Sequence, residues 1–231
     1  MRVVDVMTTS VIQVDPEMTV KAAAKLLVDH GVSGAPVVDA AQHVVGMISE
    51  GDMLRRPEIG TEPQRRSWWL DLVSSNRELT GEYIKSHGHK VKDVMTDRVI
   101  SVGEATPLGE VAALLEARRI KRVLVLRDGK LVGIVSRANL VQALASTIEE
   151  PVLKSEAKDQ EIRARLLTEL KAQKWAGAAS GNILVRNGIV HLWGFVSAPE
   201  ESQAMRILAE GIPDVRGVEA HTEGYPVFPG F

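Results

Sequence analysis

The chain of 231 residues contains no cysteine. That removes disulfides, thiol catalysis and thiolate metal sites together. It carries little net charge, −2 from 28 basic and 30 acidic side chains. No global field therefore draws nucleic acid or an anionic membrane, and any anion site must be local. No run of about 18 apolar residues reads as a bilayer span. The opening MRVVDVMTT does not join a basic segment to an apolar run, so no secretory signal is expected and the cytoplasm is the default compartment. A phosphate loop of the GxxxxGK[ST] kind, an HExxH motif and a serine nucleophile elbow are all missing. His30, His43, His87, His89, His191 and His221 fall in no catalytic context. His87 and His89 share a segment with no defined third ligand, so no metal site is expected. The expectation is a protein that is not an enzyme.

What is present is an ordinary globular composition, 45% hydrophobic and 25% charged. The first two thirds also contain an internal repeat, which outranks any single motif. Val3-Val4-Asp5-Val6-Met7-Thr8 returns as Val91-Lys92-Asp93-Val94-Met95-Thr96, an offset of 88 residues (3 to 91). Val11 to Val14 returns as Val99 to Val102 at the same offset, and Leu26-Leu27 as Leu114-Leu115. After one lost residue, Gly46-Met47-Ile48-Ser49 pairs with Gly133-Ile134-Val135-Ser136, and Asp52 with Asn139.

Each copy reads as strand, helix, strand, strand, helix. Val11 to Val14 is a β-type run broken by Asp15-Pro16. Thr19 can cap a helix through Val20, Ala23, Ala24, Leu27 and Val28, which Gly31 ends. Ala35 to Val38 and Val44 to Ser49 read as strands, and Glu50 to Arg56 as a second helix. In the second copy the helix runs from about Leu108 to Arg118. The strands are Val123 to Leu126 and Leu131 to Ser136, joined at Asp128-Gly129, a hairpin signal. The last helix runs from Arg137 to Ser146.

This doubled, ordered set of motifs resembles the CBS (cystathionine-β-synthase) domain family. The resemblance is carried by the DVMT lead-ins, by Gly31-Val32-Ser33-Gly34-Ala35-Pro36-Val37-Val38, and by the Gly-apolar-apolar-Ser-x-x-Asp/Asn segments. It implies an α+β architecture, a pseudo-two-fold pair of βαββα units.

Ser49 and Asp52 have a chemistry of their own. A hydroxyl at a strand end and a carboxylate three residues on, in a first helical turn, project near each other. The carboxylate can accept two hydrogen bonds from a ribose diol, and a helix start offers free N–H groups to phosphate. The same spacing is also that of a plain helix cap. The resemblance implies Ser49 and Asp52 in one adenine-nucleotide site, and Ser136 and Asn139 in a second. Asn139 keeps an acceptor but loses the charge, so the second site departs from the commoner acidic form. The resemblance further points to Val11, Ile12 and Val32, Ser33, Gly34, Ala35 around the base in the first copy. Val99, Ile100 and Ile120, Lys121, Arg122, Val123 correspond in the second, and core packing explains any single valine as well. Arg118-Arg119-Ile120-Lys121-Arg122 is the densest basic run, and arginine forks match phosphate oxygens. Ser33 and Gly34 stand where Lys121 and Arg122 do, so the more phosphorylated ligand is expected in the second site.

Residues 57–90 form an insert between CBS domain 1 (residues 1–56) and CBS domain 2 (91–148). Its segments Gln64 to Val73 and Glu78 to Ser86 read as helices. Trp68 and Trp69 are adjacent, about 100° apart on a helix, so both are buried only if it packs on two surfaces. After a linker at 149–154, residues 155–225 read αββαβ, with a tail at 226–231. Ile162, Leu166, Leu167 and Leu170 mark a helix. Asn187-Gly188 turns a hairpin between Ile183 to Arg186 and Ile189 to Val196. Pro199 to Ala209 is a helix and Val215 to Ala220 a strand. The pattern Val185-x-x-Gly188-x-Val190-x-Leu192-x-Gly194-x-Val196, with Val215-x-Gly217-Val218, resembles the BON family. That family's surface association makes membrane contact through Lys171, Lys174 and Trp175 a minor expectation.

The expectation is a regulatory module whose CBS pair binds AMP, ADP, ATP or NAD and passes occupancy to the BON-like domain or a partner. A homodimer through the CBS units is expected, and nucleic-acid binding is not. The alternative is a nucleotide-independent oligomerisation or membrane-surface adaptor.

Overall fold

The structure, a computed structural model, describes residues 1–54, 56–61, 84–146, 156–176, 180–196 and 198–224. The expected helix at Gln64 to Val73, with Trp68 and Trp69, lies outside the described residues, as do the linker and the tail. Of the helix expected over Glu78 to Ser86, residues 84–87 are described and are helical. The chain forms two compact units. The first holds residues 12–100 and 128–131. The second holds 1–11, 101–127 and 132–231. Each repeat's lead-in thus folds with the other repeat.

In the first unit, α2 (Val20–Asp29) starts where Thr19 Oγ1 accepts from the Ala22 N–H at 3.2 Å. It ends at Gly31, whose φ of 59° suits glycine. Strands β1 (Gly34–Val38) and β2 (Val44–Ser49) pair antiparallel, with Gly34 opposite Ser49. The run expected as a strand from Val11 to Val14 contributes only one bridge, Val14 to Val37. One-turn helix α3 (Glu50–Met53) stops three residues short of the expected Arg56. The second copy's lead-in, α4 (Val91–Val94), closes the core: Val91 and Val94 pack with Val14, Val20, Ala23, Leu27, Ala35, Val37 and Ile48. Thr96 then bridges Met47. A Cβ on Gly46 would lie 2.5 Å from Met95 Sδ and 3.0 Å from the Thr96 carbonyl oxygen.

The second unit repeats that joint. The first lead-in, α1 (Val3–Val6), precedes Thr8, which bridges Ile134. A Cβ on Gly133 would lie 2.7 Å from Met7 Sδ. The sheet order is β3 (Ser101–Val102), β4 (Arg122–Arg127), β5 (Lys130–Ser136), with helices α5 (Leu108–Ala117) and α6 (Arg137–Ala145). Arg119 stands in the position of Gly31 and takes a φ of 53°.

The C-terminal domain belongs to this second unit. It comprises α7 (Glu156–Ala172), β6 (Ser180–Arg186), β7 (Ile189–Val196), α8 (Pro199–Glu210) and β8 (Gly217–Gly224). Asn187 and Gly188, with φ of 50° and 76°, turn β6 into β7. Both turn N–H groups donate to the Asp159 carboxylate of α7, at 2.9 and 2.8 Å. β8 pairs parallel to β7. Ile162, Leu166 and Leu170 of α7 meet Ile183, Val190, Leu192 and Val196 of the sheet and Met205 and Ala209 of α8. Burying a leucine such as Leu166 in this way is worth roughly 1.5–3 kcal/mol.

Candidate functional site

Two equivalent strand-to-helix corners carry the residues singled out in the sequence. At the first, the Ser49 backbone N–H and Oγ donate to Asp52 Oδ2 at 2.9 and 2.8 Å. The Glu50 N–H donates to the Ser33 carbonyl at 3.2 Å, tying the Ser33-Gly34 segment to the corner. At the second, the Ser136 N–H and Oγ donate to Asn139 Oδ1 at 2.7 and 2.8 Å. The Arg137 N–H donates to the Lys121 carbonyl at 3.1 Å. Both corners are therefore capping boxes, and the cap reading of this spacing holds in each.

The corners differ in what their third-position side chain has left. Asp52 is half-buried and its Oδ1 has no hydrogen-bond partner among the described residues. Asn139 is buried and fully used. Its Oδ1 accepts twice, and its amide donates to the Val6 carbonyl and to Thr8 Oγ1, both at 3.2 Å. An ionised aspartate has no proton to give those two acceptors. Asparagine at this position is thus a joint to the first lead-in.

Ile12, Val32, Ser33, Gly34, Ala35, Ser49 and Asp52 share the first unit, while Val11 falls in the second. Ile120, Lys121, Arg122, Val123, Ser136 and Asn139 share the second unit, while Val99 and Ile100 fall in the first. Gly34, Ala35 and Val123 are buried. Val11, Ile12 and Val32 are half-buried, and so are Val99, Ile100 and Ile120, their counterparts at offset 88. Core packing alone does not ask for six partly exposed apolar side chains at matching places. Lys121 is exposed at the edge of its corner.

A second set of contacts was not foreseen in the sequence. Arg163 of α7 is 5% exposed and donates to three carbonyls: Val4 at 2.9 Å, Met7 at 2.7 Å and Ile183 at 2.7 Å. Asn182 of β6 donates to the Val6 carbonyl at 3.0 Å and to Gln142 Oε1 at 3.1 Å. Gln160 donates to Asp5 at 2.6 Å. α1 is a single turn, so its last carbonyls have no helical partner and need outside donors. Arg163, Asn182 and Asn139 supply them. Burial lowers the Arg163 guanidinium to about 10, so it remains charged at neutral pH.

Comparison with known proteins matches this arrangement. The CBS domain model matches residues 3–58 and 91–146, and the BON domain model matches residues 158–223. An uncharacterized protein of Methanocaldococcus jannaschii is 32% identical over 123 residues, 49% of this chain and 73% of that protein.

The chain belongs to the CBS-domain family.

A chloroplastic CBS domain-containing protein of Arabidopsis thaliana, CBSX1, is 34% identical over 139 residues, 56% of this chain. The match spans 57% of that relative's length, little more than half. The crystal structure of CBSX2 in complex with AMP superposes with a TM-score of 0.55 at 34% identity, covering 64% of this chain and 99% of that one. The chain is therefore a CBS pair followed by a BON domain, mixed α/β in structure. Among the described residues, no helix is long and apolar enough to cross a membrane.

Proposed function

We propose that this chain is a non-catalytic regulatory module that binds an adenine nucleotide in its CBS pair and passes occupancy to the BON domain. The observation that carries the reading is the unspent Asp52 Oδ1 beside Ser49, at a corner tied to the Ser33-Gly34 segment. A carboxylate with one oxygen held and the other open is suited to a ribose diol. The half-buried Ile12 and Val32 provide an apolar wall for a purine. A relative that matches over nearly its whole length holds AMP.

The second corner takes a different part. Its asparagine spends Oδ1 on Ser136 and its amide on the first lead-in, so it offers no ribose acceptor. It has the nine-residue helix α6 and the cations Lys121 and Arg122, which favour a phosphate-rich ligand. A ligand that engages Ser136 or Asn139 competes with the hold on Val6. It thereby changes how firmly α1 is presented to Arg163 and Asn182 of the BON domain. A ligand shifts such an equilibrium only through its differential affinity for the two states. Assembly as a homodimer through the CBS helices is part of this reading. Val28 on α2 of the first unit is 74% exposed, and Val141 and Leu144 on α6 of the second are 64% and 73% exposed, apolar side chains that each unit can offer to a second copy.

The test is calorimetric titration of AMP, ADP, ATP and NAD into the full chain, with light scattering in parallel. Saturable binding of at least one of them, with Kd at or below the micromolar range, is expected. Absence of heat and of any thermal shift with all four would overturn the reading and leave an assembly or membrane-surface adaptor.

A further inference from the structure

The BON sheet has two faces. Val190 and Leu192 of β7 point into the helical core, so His191 and Trp193 belong to the other face by strand alternation. The parallel register sets His191 opposite Glu219, and Trp193 opposite His221. Two histidines and a glutamate from two paired strands therefore converge on one patch.

We infer that His191, Glu219 and His221 form a binding site for one divalent first-row transition metal ion, zinc fitting best. Glu219 Oε2 lies 3.2 Å from His191 Nδ1 and 3.5 Å from His221 Nε2, and the three ligand atoms lie within 4.8 Å of one another. Zinc bonds of about 2.0–2.2 Å at tetrahedral angles separate ligand atoms by roughly 3.3–3.5 Å. Two of the three edges are thus already close to the length a metal requires.

Two further observations point the same way. His191 is 3% exposed, yet neither ring nitrogen has a hydrogen-bond partner among the described residues. Its approach to Glu219 has ion-pair length but not hydrogen-bond alignment. A buried polar atom without a partner calls for an explanation, and an absent ion is one. The His221 ring is held by stacking on Trp193, centroids 4.0 Å apart and planes 17° from parallel.

The donor set selects the ion. Imidazole nitrogens with one carboxylate suit zinc, copper or nickel, and disfavour calcium and magnesium, which take oxygen shells. The side chains of Glu219 and His221 are 54% and 36% exposed, which gives the ion a way in. Three protein ligands leave the fourth position of a tetrahedron for water or an outside donor.

The test uses tag-free full-length protein stripped with a chelator. It is titrated with Co2+ by visible absorption and with Zn2+ by competition calorimetry. One equivalent per chain is expected, with the intense visible bands of four-coordinate cobalt, displaced by zinc. Because a His191 variant leaves a buried gap, the exposed ligands carry the test. His221→Ala and Glu219→Gln should each weaken zinc binding by at least the roughly 10–100-fold that even a second-shell loss costs. Circular dichroism verifies their folds, and His43→Ala should bind as the parent does. No stoichiometric uptake by the parent, or equal uptake by His221→Ala and Glu219→Gln, would overturn the site.

Discussion

Asn139 and Asn182 donate their side-chain amides to one oxygen, the carbonyl of Val6, at 3.2 and 3.0 Å. Asn139 belongs to the second Ser-x-x-Asp/Asn corner and Asn182 to the first strand of the BON domain. A residue of the candidate ligand corner and a residue of the BON domain therefore share an acceptor on a one-turn helix. Neither can leave without changing the environment of the other.

The shared acceptor makes the two asparagines non-additive. Asn139→Ala leaves Val6 bonded to Asn182, and Asn182→Ala leaves it bonded to Asn139. The double variant leaves a buried carbonyl bare. Urea unfolding of the four proteins should show the double variant less stable than the sum of the singles by about 0.5–3 kcal/mol. Strict additivity would mean that the two bonds are independent.

The sequence made part of this legible. The repeat at offsets of 88 and 87 set the order of elements, Thr19 announced its cap, and Asn187-Gly188 its turn. These are local patterns, and local patterns survive tertiary context when nothing competes with them. In the sequence Asn139 shows only an acceptor without the charge of Asp52, because its partner Val6 lies 133 residues away and leaves no trace near Ser136. Arg163 gives no local signal for the same reason, since its partners Val4 and Met7 lie 159 and 156 residues away. The strand expected at Val11 to Val14 shrank to one bridge, and the helix at Glu50 ended at Met53. His191, Glu219 and His221 are joined only by the parallel register of β7 and β8. The one hint was alternation, His191-x-Trp193 and Glu219-x-His221, which puts each pair on one face of a strand.

Gly46 and Gly133 are glycines for the same steric reason. An added Cβ meets Met95 Sδ and the Thr96 carbonyl in one case, Met7 Sδ and the Thr8 carbonyl in the other. The methionines can shift but the carbonyls belong to bridging backbone. Gly46→Ala and Gly133→Ala should each destabilise by about 1–3 kcal/mol in denaturant unfolding. Met95→Ala in the Gly46→Ala background should recover only part of its own cavity cost. Alanine variants as stable as the parent would show that the lead-ins do not pack this closely.

Glu17 sets an acid-side dependence. Hydrogen bonds from Lys90 and Lys92 lower its carboxyl from 4.5 to about 2. A depressed carboxylate contributes stability that is present above the unfolded value. That stability is lost as pH falls from about 4.5 through 2. Glu17→Gln should therefore flatten the melting profile in that interval and converge with the parent below it. The pair is exposed, so added salt should shrink the difference. An unchanged profile would mean that the lysines do not hold Glu17.

The central claim is that the Ser49–Asp52 corner reads a ribose. Its most direct test is AMP calorimetry on the parent and on Asp52→Ala at one ionic strength, with folding checked by thermal melting. Loss of one or two charge-assisted hydrogen bonds predicts affinity weaker by about 1.5–3 kcal/mol, roughly 10–150-fold. Equal affinity in the two proteins would contradict the claim and assign Asp52 to capping alone.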